Sequence, residues 1–257
     1  MTSRAIQMLS VDDHVAYLRK SSIPTIIVEG NDDLVIYRYI ERRFGAVNIS
    51  ILPVGGRKNV LSIFDRRTEI NTPLFFIADR DNWCITGVPD KYNSEQIALT
   101  SGYSIENDVI LDGNLMKYLD EKEEANLRRE LDTFIAWYAL ALSRHLASEG
   151  AVIKTHPNTI IDDVANCAQL SILADGEIYP EALKNKLSHA PFELVRGKSV
   201  FAVLMRQLSY SGRKPKHHHL SLMETVGASP GDRIDQIFER VSDFFNLTHL
   251  SHAGTVT

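Results

Sequence analysis

PLFFIADRDNW (73–83) passes through Leu74, Phe75, Phe76, Ile77 and Ala78 without a polar residue and then turns abruptly to charge. A short unbroken apolar run is a strand covered on both faces, since a strand with one wet face would alternate. TIIV (25–28) and NISILPV (48–54) read the same way, and a fourth strand is expected around Gly102 to Ile105. Between them DDLVIYRYIERRF (32–44) carries helical periodicity with acids in its first turn, and a shorter helix is expected from Lys58 to Arg67. Strands alternating with helices imply an α/β fold, with a parallel sheet and helices on both of its faces.

Ligands of such sheets collect at the carboxyl ends of the strands. Glu29 ends the first run, Gly55-Gly56 the second, Asp79 the third and Glu106 the expected fourth. In an extended chain residues two apart share a side, so Asp79 and Asp81 are expected to present both carboxylates to one point. Two carboxylates held together repel unless a cation lies between them. Mg²⁺ suits that position, with Mn²⁺ as the alternative ion, because it takes a few carboxylates and keeps waters for exchange with phosphate oxygens. Glu29, from a different strand end, makes the third acid. Asp32 and Asp33 have a simpler role as first-turn residues matched to the helix dipole.

The chain has 257 residues, is 44% hydrophobic and 24% charged, and carries 28 basic against 33 acidic residues, a formal charge of −5. That balance argues against a protein that coats DNA generally. It leaves room for an enzyme that gathers acids around a metal and keeps its positive charge local. No apolar run reaches the roughly 20 residues needed to span a bilayer, so no membrane association is expected. MTSRAIQMLSVDDH (1–14) lacks the apolar core of a signal peptide, and a cytoplasmic location is expected. Cys84 and Cys167 form neither a metal pair nor a disulfide framework.

From about residue 121 the sequence becomes mostly helical, beginning with the long helix 121–150, which is charged early, apolar later and ended by Gly150. The expected division is a catalytic domain over 1–120, including an N-terminal helix at 10–20, and a helical domain or insertion over 121–257. The apolar second half of the long helix is either core or a partner surface, and a homodimer is one use for it.

IIVEGNDD (26–33), VGGRKNV (54–60) and FFIADRD (75–81) together resemble the Toprim family, shared by topoisomerases, primases, recombination proteins and OLD-type nucleases. The resemblance covers roughly residues 22–110. YSIENDVI (103–110) narrows it toward small stand-alone Toprim proteins found beside an ABC-type ATPase in bacterial anti-phage systems, among them the effector of the phage anti-restriction-induced system. The resemblance implies that Glu29, Asp79 and Asp81 are catalytic and bind metal, with Glu106 an additional acid. It implies a Mg²⁺-dependent nuclease that acts as a toxic effector in antiviral defence, cleaving tRNA or DNA, under the restraint of the ATPase. No catalytic-tyrosine domain is evident, which favours hydrolysis over strand passage. The other reading is a regulatory module that docks on the ATPase without catalysis.

Arg57 and Lys58 follow a glycine pair at the same sheet edge, Lys58 opening a helix, and exposed N–H groups and a helix N-terminus there favour phosphate, which makes both residues candidate phosphate contacts. Arg80 is a further candidate for nucleic-acid contact. Arg196-Gly197-Lys198-Ser199 is not a Walker loop, because Phe192 stands where its first glycine would be. Arg196 and Lys198 remain candidates for nucleic-acid contact. SGRKPKHHH (211–219) reads as a flexible basic loop, and Trp83 and Tyr103 as aromatics that either stack on bases or pack.

Overall fold

The computed structural model describes residues 9–45, 48–147 and 152–247; most of the N-terminal stretch read above, and Gly150, lie outside them. In chain order the elements are α1 (Val11–Lys20), β1 (Thr25–Val28), α2 (Leu34–Phe44), β2 (Ser50–Pro53), α3 (Arg57–Asp65), β3 (Leu74–Ala78), α4 (Trp83–Thr86), β4 (Ile97–Leu99), α5 (Ile105–Asp112) and α6 (Glu121–Ala147). They continue with α7 (Pro157–Ile161), α8 (Val164–Leu170), α9 (Glu181–His189), α10 (Pro191–Leu194), α11 (Gly197–Leu208), α12 (His219–Ala228) and α13 (Asp232–Phe245). Two compact units share this chain: the first holds 1–80, 87–100 and 223–257, the second 81–86 and 101–222. The expected boundary at 120 followed the change in sequence character. Contacts group the chain differently, because α13 returns to the sheet and two helices of the second unit, α4 and α5, precede residue 120.

The first unit is built on a four-stranded sheet in the order β2-β1-β3-β4, parallel at each pairing. Ile26 sits beside Ile51 on one side and Phe75 on the other. Every residue of β1 and β3 is buried, as their unbroken apolar runs require. The amphipathic α13 buries Ile234, Ile237, Phe238 and Val241, a stripe at helical spacing, and Phe244 brings its ring centroid to 5.4 Å from that of Phe75. Arg43 of α2 binds Asp235 and Glu239, one turn apart on α13.

The fourth strand corrects the sequence reading. It is Ile97–Leu99, while Ser104 caps α5 through a capping box with Asn107. Ser-x-x-Asn in front of an apolar run is a helix start, and the expected strand at 102–105 overlooked it. Glu106 therefore lies in the first turn of a helix rather than at a strand end.

The second unit is organised around α6. From Trp137 to Leu142 every residue of α6 is buried, which makes it a helix surrounded by others and settles its apolar half as core. That surface is consumed internally and gives no ground for a homodimer. Polar anchors fix the neighbours: Tyr179 Oη donates to the Ala136 carbonyl at 2.6 Å, Arg144 pairs with Glu177 at 2.6 Å, and Arg206 spans Glu130 and Asp162. Arg213 is also fixed, buried against Glu123 at 2.8 Å, so the basic stretch at 211–219 is held down at that point. Among the described residues no helix is long and apolar enough to cross a membrane.

Candidate active site

A sheet ordered β2-β1-β3-β4 sends its first two crossovers in opposite directions from β1, which places a topological switch between β1 and β3. Beyond the carboxyl ends of strands at such a point lies a crevice that no connection covers, where open α/β sheets bind ligands. Glu29 follows β1 directly and Asp79 follows β3 directly. The structure joins them there: the Asp79 N–H donates to Glu29 Oε1 at 2.8 Å. Both residues are partly exposed, in contrast to the buried strands behind them.

The backbone of Glu29 is held as firmly as its side chain. Its carbonyl accepts from the N–H groups of both Gly55 and Gly56, at 2.9 and 2.7 Å. Those glycines have φ of 82° and 118°, conformations that a side chain disfavours, so the pair is needed to turn the chain back onto β1. This corrects the expectation that their N–H groups face an anion, because both are already engaged. Arg57, next in line, donates from Nε to the Asp79 carbonyl at 2.8 Å and from Nη2 to the Arg80 carbonyl at 3.2 Å. The guanidinium clamps the segment after β3 to the start of α3. Lys58 is exposed at the second position of α3 and makes no ion pair among the described residues.

Arg80 is tied through its backbone, its N–H donating to Thr100 Oγ1 at 3.0 Å, while its Nε is buried with no hydrogen-bond partner among the described residues. Thr100 is fully buried, and nothing in the sequence singles it out. Asp33 has the local role expected of it, its Oδ2 accepting from the Gly30 N–H at 2.9 Å; Asp32 is exposed.

Asp81 and Glu106 belong to the second unit. The chain is not extended at Asp81, as the Asp-x-Asp reading supposed: φ is 48°, and the Asp81 N–H donates to the Tyr103 carbonyl at 2.7 Å. Aspartate tolerates this left-handed conformation better than most residues, and no sequence period reveals it. Glu106 is buried and accepts from Ser104 Oγ at 2.6 Å. Tyr103 is buried as well, which leaves it packed rather than available to a base; burial, with Tyr138 and Asp81 nearby, pushes its hydroxyl pKa up. Arg196 and Lys198 flank Gly197, where a Cβ would collide with Ser104 Oγ and lie 2.5 Å from Asn107 Oδ1. That glycine serves helix packing, which accounts for the Gly-Lys-Ser sequence without a nucleotide.

Among the described residues no three His, Cys, Asp or Glu side chains are grouped closely enough to hold a metal ion. Glu29 and Asp79 stand at adjacent strand ends, and their two carboxylates would suit Mg²⁺, which retains water and takes substrate oxygens for the remainder. In comparisons with known proteins, no family model and no curated sequence matches the chain.

Proposed function

From the joined strand ends we propose a Mg²⁺-dependent nuclease that hydrolyses phosphodiester bonds of tRNA or DNA at the crevice of Glu29 and Asp79. The observation that carries this reading is the 2.8 Å bond from the Asp79 N–H to Glu29 Oε1 at the switch of the sheet. The strands behind the two acids are already paired and buried, so the bond orients Glu29 at the strand end rather than holding the sheet together. The Toprim resemblance of 26–33, 54–60 and 75–81, carried by the same residues, is in line with it.

When bound, Mg²⁺ polarises a phosphate and lowers the pKa of a water. The remaining work falls to the chain's own groups. The Asp79 N–H fixes the direction of the Glu29 carboxylate, Arg57 fixes the backbone that carries Asp79, and Lys58 offers a cation to the strand. Glu29 holds the metal or takes the proton of the attacking water. Glu29→Gln and Asp79→Asn test the proposal: each should lower cleavage of tRNA or plasmid DNA at least about a hundredfold. Full activity in both variants would exclude it.

A non-catalytic docking module is the second reading, favoured by the lack of a three-acid cluster among the described residues. Both readings include a protein partner. The described surface that fits one lies on the second unit, where α8 buries none of its residues and Val164, Ile172 and Ile178 are 78%, 66% and 88% exposed. Exposed apolar side chains recurring along the stretch 164–178 offer a surface that a partner could cover. Ile172→Asp with Ile178→Asp should prevent co-purification with a co-expressed ABC-type ATPase, whereas only the nuclease reading requires Glu29 and Asp79 for toxicity.

A further inference from the structure

The first unit has a cavity of about 280 Å³ whose lining includes Arg80, Asp90, Tyr92, Ser94, Leu99 and Arg240. Its two arginines have no carboxylate partner, unlike several arginines elsewhere in the described residues. Arg38, Arg43, Arg66, Arg206 and Arg213 each hold at least one carboxylate. Neither Arg80 nor Arg240 forms an ion pair among the described residues. Arg80 Nε is buried with no hydrogen-bond partner, and Arg240 has a single hydrogen bond, from Nη2 to the Ser94 carbonyl at 2.8 Å. A guanidinium carries five donors in a planar fork, so most of the donor capacity at this cavity has no protein acceptor. Leaving the Arg80 Nε desolvated and unsatisfied is costly, and the oxygen of an anion removes that cost. Arg240 is also held in partly desolvated surroundings, which lower its pKa, with Glu95 acting in the opposite sense.

We infer that this cavity binds a phosphate of the nucleic-acid strand next to the one cleaved, gripped between Arg80 and Arg240. The inference rests on the nuclease reading of Glu29 and Asp79. Phosphate matches the two forks in charge and in its number of acceptors, and Asp90 is the one acid in the lining. Val88, Ile97 and Leu99 supply an apolar wall for the attached sugar. The volume lies at the lower edge of small-molecule sites, roughly 300–1,000 Å³, which suits one nucleotide unit rather than a dinucleotide cofactor. Position supports the assignment, since Asp79 and Arg80 are consecutive, with Cα atoms about 3.8 Å apart. Arg80 thus links the strand end that carries Asp79 to the cavity lining. Arg240 comes from the far end of the chain, on α13, and the sequence gives no sign of its involvement.

The test is equilibrium binding of fluorescent 12-nucleotide RNA and DNA strands to the full-length protein in EDTA, which separates binding from cleavage. Arg240→Met, at an exposed position, should weaken binding about tenfold. It should also reduce the salt dependence by about one phosphate contact. Asp90→Asn should tighten binding severalfold, a change opposite to anything misfolding would produce. Inorganic phosphate should compete with the strand on the wild type and less well on Arg240→Met. Wild-type affinity and salt slope in both variants would overturn the inference, as would failure of the wild type to bind either strand. A separate cleavage assay with Mg²⁺ keeps the two claims apart: cleavage that proceeds normally in Arg240→Met, together with unchanged binding, removes the cavity and leaves the nuclease. Arg240-dependent binding by a protein that cleaves nothing removes the nuclease and leaves the cavity.

Discussion

Glu29 Oε1 accepts a hydrogen bond from the backbone N–H of Asp79 at 2.8 Å, so a side chain at the end of β1 is locked to the main chain at the end of β3. The bond separates two functions of Glu29 that a simple truncation would mix. Glu29→Gln keeps an oxygen acceptor for the Asp79 N–H and removes the charge. Glu29→Ala removes both. Thermal melting should show Glu29→Gln close to wild type and Glu29→Ala destabilised by about 1–3 kcal/mol, while cleavage is lost in both. A Glu29→Gln protein that melts as wild type and still cleaves would leave the carboxylate with a structural role only.

Gly56 has φ of 118° and ψ of 163°, a region open in practice to glycine alone, and its N–H holds the Glu29 carbonyl. Gly56→Ala meets no neighbouring atom within 4 Å, so its cost is backbone strain alone, about 1–3 kcal/mol. If the glycine pair exists to place Glu29, cleavage should fall further than stability does. Equal losses, read from melting temperature and initial rate, would mean that the turn matters only for folding.

Part of this arrangement is legible from sequence because it depends on composition. β1 and β3 are buried on both faces, and only uninterrupted apolar runs such as TIIV and LFFIA satisfy that, so their ends, and with them Glu29 and Asp79, can be located by eye. β4 is three residues long, Ile97–Leu99, too short to show a pattern, and the segment that looked extended instead opens α5. The left-handed turn at Asp81 and the contribution of Arg240 have no local signature. One is a single dihedral, and the other depends on α13 returning to the sheet from about 140 residues away.

Gly197 and Lys198 stand side by side, and the glycine has structural work. A Cβ on residue 197 would collide with the Ser104 hydroxyl of the capping box that starts α5. Gly197→Ala should cost about 1–3 kcal/mol by overpacking, and Lys198→Ala, at an exposed position, should cost less. Isothermal titration with ATP should show no binding in either variant or in the wild type. Saturable ATP binding lost with Lys198 would restore a nucleotide role to Gly-Lys-Ser.

Glu123 and Arg213 form a buried pair, their side chains 7% and 8% exposed, and Arg213 holds the Glu123 carboxyl below the usual carboxylate range. A carboxylate with a depressed folded-state pKa contributes stability above its unfolded pKa, and that contribution disappears as pH falls toward the folded value. Arg213→Met leaves Glu123 buried and charged at neutral pH, which should cost about 3–5 kcal/mol. Acid protonates that lone carboxyl, so the gap in melting temperature between wild type and variant should narrow as pH falls through the carboxylate range. A gap independent of pH would locate the loss in packing rather than charge.

Lys58 occupies the second position of α3, where the helix dipole opposes a cation, and the first turn of that helix carries no acid. Nothing in the fold rewards this placement. Lys58→Glu should accordingly raise stability by about 0.3–1 kcal/mol at low salt, the usual scale of a charge matched to a helix N-terminus. If Lys58 meets the phosphate backbone as proposed, the variant should also weaken nucleic-acid binding and shift its salt dependence by about one contact. Opposite changes in the two measurements are what distinguish a residue kept for its ligand from one that is merely solvated. A variant that gains stability and keeps full affinity would remove Lys58 from the strand's path, leaving phosphate recognition to Arg80 and Arg240.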